Sequence, residues 1–524
     1  MLKSRLCIAF FAFAVGCAPA QKPLTDYVNP MLGTATLWDS VDLGFKPTKR
    51  TWGAEVFPGS SLPNAMVQVS PVTKFHSGAG YQYEDSVIYG FTHTNKGHWN
   101  LCHIPLLPVT GTPTPGDYCS PFSHERESAA PGYYQVFLDR YGVDAQLSST
   151  LRCAFHKYTY PAGAAPAVLA DLQRSNEHVR AWDIRKEGDN VFAGWQQTGE
   201  KMYFYAVANR PVTGIEPVVE GDREVRIVRF GEGDGALELR IGFSFVSEKN
   251  ARENLEAEML GKSFAEVRSE ATATWNDLLG RIRVEGGTER EKGLFYSSLY
   301  RSFLWPALRS DVNGEFTDVD GKVINPGFRY YTGPSYWDDY RNKLILLGML
   351  APDVAADVIS SDVDKGEKRG GFMPTFFHGD HASAFVAGTY LRGNRGFDVN
   401  RAYNLVLRNA TVQGPSRPWL DEYVAKGYIS EMDVENPVTW TVCKAAVTKT
   451  LEYSYDDYAV ALLADALGDK ENRDMLMKRT SNYKNLFDPS TGLMRGRLEN
   501  GEWITPFDDQ YPYYEYMYRE ANAW

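Results

Sequence analysis

The chain has 524 residues, 43% hydrophobic and 23% charged, an ordinary globular balance, and a length that calls for two or more domains. A formal charge of −11 argues against nucleic acid or an anionic membrane surface as a partner, since both need a basic face. The 31 Tyr, 27 Phe and 12 Trp are a weak pointer toward sugar handling, because large cores also consume aromatic residues.

Residues 1–20 read as a signal peptide. Lys3 and Arg5 form a basic n-region, Leu6 to Val15 a short apolar stretch, and Ala18-Pro19-Ala20 a small-residue cleavage site. Gly16-Cys17 also fits the end of a bacterial lipoprotein signal, with a lipid anchor on Cys17, and both readings stay open. The expected location is outside the cytoplasm, either periplasmic or tethered to the outer membrane. No later apolar run reaches the roughly 20 residues of a transmembrane helix. Cys102, Cys119, Cys153 and Cys443 fit no zinc spacing. Export would allow one disulfide among the first three, without indicating which.

Residues 21–265 read as a β domain. Runs such as 65–69, 133–138, 225–230 and 237–243 are separated by Gly, Pro, Asn and Asp turns. In the last of these, Leu237, Leu239, Ile241 and Phe243 alternate with other residues, as in a sheet with one face buried. Many such strands joined by loops of uneven length predict an antiparallel β-sandwich. Helical spacing begins at Phe264–Leu279, so 266–284 reads as a linker helix region and 285–524 as a helical domain. Within it, helices are expected from Glu289 to Leu304, Ala384 to Leu391, Asn400 to Asn409 and Glu471 to Asn485. The strongest spans Val447 to Leu467, with Val447, Leu451, Tyr455, Tyr458, Leu462 and Ala466 on its apolar stripe and Gly468 as its stop.

The richest chemistry lies in Ser335-Tyr336-Trp337-Asp338-Asp339-Tyr340-Arg341. An aromatic face can stack on a sugar ring while carboxylates and Arg bond its hydroxyls. A helix start capped by Ser335 explains the same residues structurally. His93, His98 and His103 recur every five residues around Trp99, a spacing no helical metal motif uses; a cleft loop with Trp99 as stacking platform is the functional alternative to a plain sandwich loop. The His378 and His381 pair reads as a helix start more readily than as a metal pair. The adjacent acids Asp456 and Asp457 sit inside a helix, where one must face inward and need a partner, either for sugar or base work or as a bonded structural pair. Glu520, flanked by aromatic residues, is a candidate general acid, since desolvation would raise its pKa.

Taken in order, these segments resemble glycoside hydrolase family 92, calcium-dependent exo-acting α-mannosidases. The marks include Val28-Asn29-Pro30-Met31-Leu32-Gly33-Thr34, Phe57-Pro58-Gly59, Gly90-Phe91-Thr92-His93-Thr94, Tyr336-Trp337-Asp338-Asp339-Tyr340-Arg341 and Glu520-Ala521-Asn522-Ala523-Trp524. The resemblance implies an α+β multidomain fold, a β-sandwich on an (α/α)6 toroid with the site at their junction. It implies Glu520 as general acid, Asp338 as a substrate-binding aspartate, and Trp99, His98, Trp337 and Arg341 at a terminal mannose. It further implies inversion, with a second carboxylate roughly 6.5–9.5 Å away activating water, and a calcium ion held by oxygen ligands. The substrate would be a mannose-terminated glycan, with α-1,2 linkage expected, drawn from N-glycans or mannans. Family members run on for roughly two hundred further residues, about one large domain's share. That continuation carries the base and calcium groups, so the toroid is expected to be incomplete here and the chain's activity open. A non-catalytic mannose- or glycan-binding protein of the same fold is the alternative. Ala521 stands where the family usually has Gly.

Overall fold

The computed structural model describes residues 22–36, 54–94, 101–436, 443–507 and 516–518. Two antiparallel sheets form the N-terminal half. One has seven strands in the order Ser60–Ser61, Gln68–Val72, Gly90–Thr92, Leu106–Val109, Ala167–Ala170, Arg223–Phe230 and Val212–Glu220. The other has eight: Ala181–Lys186, Val191–Gln197, Lys201–Ala208, Leu237–Ser244, Cys153–Thr159, Val143–Ser149, Tyr133–Leu138 and Glu127–Ala130.

Alternation decides which face is inside. Met202, Phe204 and Ala206 are buried, as are the neighbouring strand's Leu239, Ile241 and Phe243, and Phe204 stands opposite Phe243 in the register. These residues join one continuous core with Val168, Ile227 and Val228 of the other sheet. The two sheets are thus the layers of a sandwich.

The outer face of the eight-stranded sheet is covered by helices. α1 (Glu248–Glu258) and α2 (Phe264–Leu279) bring Leu255, Met259, Phe264 and Val267 onto Tyr133, Cys153 and Phe155. Gly242 permits this approach, because a Cβ there would lie 2.1 Å from the Ala251 carbonyl. α2 starts in a capping box between Ser263 and Glu266, and α3 (Glu289–Ser302) in another between Thr288 and Glu291. Fully buried Trp275 of α2 donates its indole N–H to the Ser61 carbonyl at 2.7 Å and packs on Tyr300 of α3 at 4.4 Å.

The helical half continues with α4 (Tyr336–Asp339), α5 (Lys343–Leu350), α6 (Pro352–Lys368), α7 (Ala382–Leu391), α8 (Val399–Thr411), α9 (Leu420–Lys426), α10 (Ala446–Leu467) and α11 (Lys470–Arg479). α10 is central, packing against α7, α8 and α11, and Gly468 ends it in the left-handed conformation. Its expected apolar stripe is corrected: Tyr455 and Tyr458 are nearly half exposed, while Glu452, Asp456 and Asp457 are buried. Among the described residues no single helix is long and apolar enough to cross a membrane, and no disulfide joins Cys102, Cys119, Cys153 and Cys443.

Polar contacts seat the sandwich on the segment after α3. Asn64 Nδ2 donates to the Pro306 carbonyl at 2.8 Å and Gln68 Nε2 to that of Leu304 at 2.9 Å. Arg152 donates to the Ser310 carbonyl at 2.7 Å and to Glu258 at 2.6 Å. Backbone carbonyls used this way make a stiff joint, because each buried acceptor would otherwise be orphaned.

Candidate functional site

That joint leads directly into the Ser335–Arg341 segment. Ser335 makes no hydrogen bond to a helix N–H; its hydroxyl instead bonds Asp338, and its backbone N–H donates to Asp339 at 3.2 Å. Asp339 is buried and pairs with Lys343 Nζ at 3.1 Å. Burial pushes its carboxyl up, with Lys343 pulling the other way. Asp338 is the exposed member of the pair. It lines a cavity of about 500 Å³ whose walls come from both halves of the chain: Phe57 from the sandwich, and Trp305, Asp339, Lys343 and Phe376 from the helical side. Apolar walls with a few converging polar groups are what a small-ligand cavity requires.

Trp337 and Arg341 belong to a neighbouring cluster and are not walls of that cavity. Arg341 donates to the Trp337 carbonyl at 3.1 Å, lies 4.5 Å from the centre of the Tyr340 ring, and reaches within 3.8 Å of Glu452. The Tyr340 ring also stacks on His381 at 3.8 Å, nearly parallel. His381 is wedged between Asp456 at 2.9 Å and Glu452 at 3.2 Å. Burial disfavours its charge, but Asp456 and Glu452 outweigh that and raise its pKa, so the imidazolium is favoured. Gly379 lets α10 come this close: its φ is +76°, and a Cβ there would lie 2.8 Å from Glu452 Cβ.

Behind this cluster lies a buried ionic network. Arg417 pairs with Asp457 at 2.6 Å and lies 3.4 Å from Asp380, while Arg479 also holds Asp457 at 3.0 Å. Asp380 further accepts from Ser383 at 2.7 Å and Asn409 at 2.8 Å. Burial and the nearby Asp456 push its carboxyl up to about 7 against the pull of Arg417. The adjacent acids of α10 are therefore both inward-facing and both partnered.

Of the residues singled out from sequence, Asp338 lies at the cavity and Trp337 with Arg341 beside it. His98, Trp99, Glu520 and Cys17 lie outside the described residues. His93 and His103, which share the Trp99 region, are buried in the sandwich. Sequence reasoning passed over Trp305, Phe376 and Lys343; among the cavity walls, Phe57 and the acidic turn of Ser335, Asp338 and Asp339 stood in flagged motifs. Among the described residues no group of three or more His, Cys, Asp or Glu could hold a metal. The carboxylates near the cavity are committed to protein partners: Asp338 to Ser335, Asp339 to Lys343, and Glu452 to His381. These residues do not make a calcium cage.

The molecule is thus a β-sandwich joined by a polar seam to a helical domain, with an aromatic and acidic cavity at their junction. Residues 27–253 match the glycosyl hydrolase family 92 N-terminal domain and residues 250–524 the family 92 catalytic domain, so the chain belongs to glycosyl hydrolase family 92. The fold is similar to that of a family 92 α-mannosidase from Bacteroides thetaiotaomicron, at 27% identity and TM-score 0.82, over 93% of this chain and 68% of that one. An inverting family 92 mannosidase from the same organism gives 25% identity and TM-score 0.81, over 93% and 69%. A secreted glycosidase of Arthroderma benhamiae, itself uncharacterised, is 24% identical over 91% of this chain and 66% of its own length. The chain thus spans about two thirds of the length of these relatives.

Proposed function

We propose that the protein is an exported, exo-acting, inverting α-mannosidase that releases terminal mannose, α-1,2-linked, from N-glycans or mannans. The observation that carries this reading is the position of Asp338, an exposed carboxylate in a sugar-sized cavity walled by aromatic residues of both domains. A carboxylate so placed accepts hydrogen bonds from neighbouring sugar hydroxyls, and a ring face packs on Trp305 or Phe57. Two family 92 structures described as α-mannosidases, one of them in complex with mannoimidazole, support mannose as the sugar. The helices of the second half serve as part of an (α/α)6 toroid in this reading.

Glu520 is the proton donor to the leaving oxygen, on the match of its motif to the family. Trp337 and Arg341, outside the cavity walls, hold the Asp338 turn in place, and His98 and Trp99 contact the mannose, on the match of their motif to the family. Export accords with the secreted relative. The test is release of mannose from α-1,2-mannobiose followed by proton NMR. Appearance of the β-anomer first is expected. Asp338→Asn should lower kcat/KM about 10- to 100-fold, the scale of a charge-assisted hydrogen bond. Sugar binding without hydrolysis by the full chain would make it a glycan-binding protein instead, and release of a different sugar would overturn the substrate.

A further inference from the structure

Residues 29–36 run as a strap from the helical half to the sandwich, behind one wall of the Asp338 cavity. At one end the Asn29 N–H donates to Ser297 Oγ of α3 at 2.9 Å. One helical turn further along α3, Arg301 Nη2 donates to the carbonyls of Pro30 and Leu32, both at 2.7 Å. At the other end the Tyr83 N–H donates to the Thr34 carbonyl at 3.2 Å, and Thr36 donates to Glu84 through its N–H at 2.6 Å and its hydroxyl at 2.9 Å. Between these ties Gly33 backs onto two wall residues. Its carbonyl accepts from the Ala54 N–H at 3.0 Å, and a Cβ on it would lie 2.9 Å from Ala54 Cβ and 3.3 Å from Val56 Cγ2. We infer that Arg301 is a positioning residue for the sugar: it holds the strap, and through Gly33 the strap holds Ala54 and Val56 in the shape that admits the ligand. The inference rests on the mannosidase reading of that cavity.

Two unfavourable features meet here, and the strap accounts for both. Glu55, between the two wall residues, has φ +48°, a left-handed conformation that a residue with a side chain keeps only when its surroundings enforce it. Without the strap the backbone at 54–56 would relax and carry the wall with it. The second feature is Arg301 itself. Its guanidinium is largely buried, no carboxylate pairs with it among the described residues, and Nη1 is buried without a hydrogen-bond partner. Burial pushes its pKa down to about 10, so the cation persists at neutral pH. Its place in the last turn of α3 favours that charge. Even so, a buried cation held only by carbonyls costs stability that an apolar side chain would not. What the guanidinium adds is direction: one planar group taking two carbonyls fixes the peptides that lead into Gly33. Arg301 is also a wall residue, but Nη2 is committed to the strap and Nη1 is shut off from solvent. It therefore acts on the sugar through Ala54 and Val56.

The test is titration calorimetry of the full chain with methyl α-mannoside. Arg301→Ala, melting like the wild type, should weaken binding about tenfold, the scale of one charge-assisted hydrogen bond. Millimolar methylguanidinium should restore most of that affinity by refilling the space beneath the strap, whereas methylammonium, which has no planar fork, should not. Arg301→Lys serves if the alanine variant melts early. It keeps the cation and should bind the sugar more weakly than the wild type at an unchanged melting temperature. Wild-type affinity in Arg301→Lys, or a loss in Arg301→Ala that methylguanidinium leaves in place, would overturn the inference while the mannose reading stands. Failure of the wild type to bind the sugar would overturn both.

Discussion

Two buried polar clusters, one in each half of the molecule, are held by opposite devices. In the sandwich, His93 and His156 lie at zero exposure with their Nε2 atoms 3.0 Å apart. The bonds at their other nitrogens settle the tautomers. His93 Nδ1 donates to the Ile104 carbonyl at 3.0 Å, so its Nε2 accepts from His156, whose Nδ1 in turn accepts from the Tyr158 hydroxyl at 2.5 Å. Every group in this chain is satisfied and neutral. In the helical half, burial is achieved with charge: Arg417, Arg479, Asp457, His381, Asp456 and Glu452 offset one another. Neutral chains cost little to desolvate but tolerate no added proton. Ionic networks cost more to desolvate, yet they fix direction, and this one stands directly behind the Tyr340–Arg341 turn beside the cavity.

The largest expected effect comes from breaking the ionic device. Asp457→Ala leaves Arg417 and Arg479 facing each other without their shared carboxylate. Removing one partner of a buried pair costs about 3–5 kcal/mol. Urea unfolding followed by circular dichroism should show it as a lower midpoint; a loss below about 1 kcal/mol would mean that the network is no more than a surface pair.

Proton uptake should separate the halves next. Burial lowers His93 to about 3 and His103 to about 4, and holds His156 well below its usual value. Below pH 6.5 the unfolded chain binds protons that the folded sandwich refuses, so stability from these groups falls between about pH 6.5 and 3. Buried Asp171, raised by burial, offsets part of that loss. The helical half moves the other way. Asp380, raised to about 7, and His381, also raised, keep protons that the unfolded chain has already released. The contribution of Asp380 is full below its unfolded value near 3.8 and fades as pH rises to about 7, whereas that of His381 is full below about 6.5 and fades above it. Hydrogen exchange by mass spectrometry at pH 5 and 7.5, corrected for intrinsic rates, should show the 153–158 strand losing protection in acid and α7 gaining it. The same sign in both regions would end the comparison.

Gly379→Ala probes the seam where the network meets the cavity. The substitution places a methyl group 2.8 Å from Glu452 Cβ and 2.9 Å from Asp456 Oδ2, at φ +76°. Strain of about 1–3 kcal/mol is expected. Because α10 must shift away, the Tyr340–His381 stack should loosen and mannoside affinity should fall with it. Unchanged binding would detach the network from the site.

What could be read from sequence follows the range of the forces involved. The strand at 133–138 and the helix at 264–279 stand where their periods place them, because alternation and capping are local. The four-residue turn at Ser335 was legible as chemistry, for its acids and rings are adjacent. The burial of α10 was only half legible: the pattern requires one of Asp456 and Asp457 to face inward, and both do, because Arg417, Arg479 and His381 arrive from elsewhere in the chain. The Asp338 cavity was invisible for the same reason: Phe57, Trp305 and Phe376 meet Asp338 only after the sandwich docks. Helix α6 escaped because its buried Ser361 and Asp362 interrupt the apolar pattern, and Asp362 is buried only because the Tyr336 hydroxyl and Lys365 bond it.

The smallest effect expected is at the joint between the halves, and it asks whether they unfold as one. Trp275→Phe keeps an aromatic ring against Tyr300 but removes the N–H that donates to the Ser61 carbonyl. A buried carbonyl left without its donor costs about 1–2 kcal/mol, and the smaller ring adds a modest cavity. If the halves are rigidly coupled, this loss lowers a single unfolding transition and leaves its shape intact. If the sandwich and the helical domain are independent, the wild type already shows two transitions, and the substitution moves the one that belongs to the sandwich. Calorimetry at neutral pH distinguishes these outcomes. A single transition is expected, because Asn64, Gln68 and Arg152 bind the same segment through backbone carbonyls and remain in place when Trp275 loses its bond.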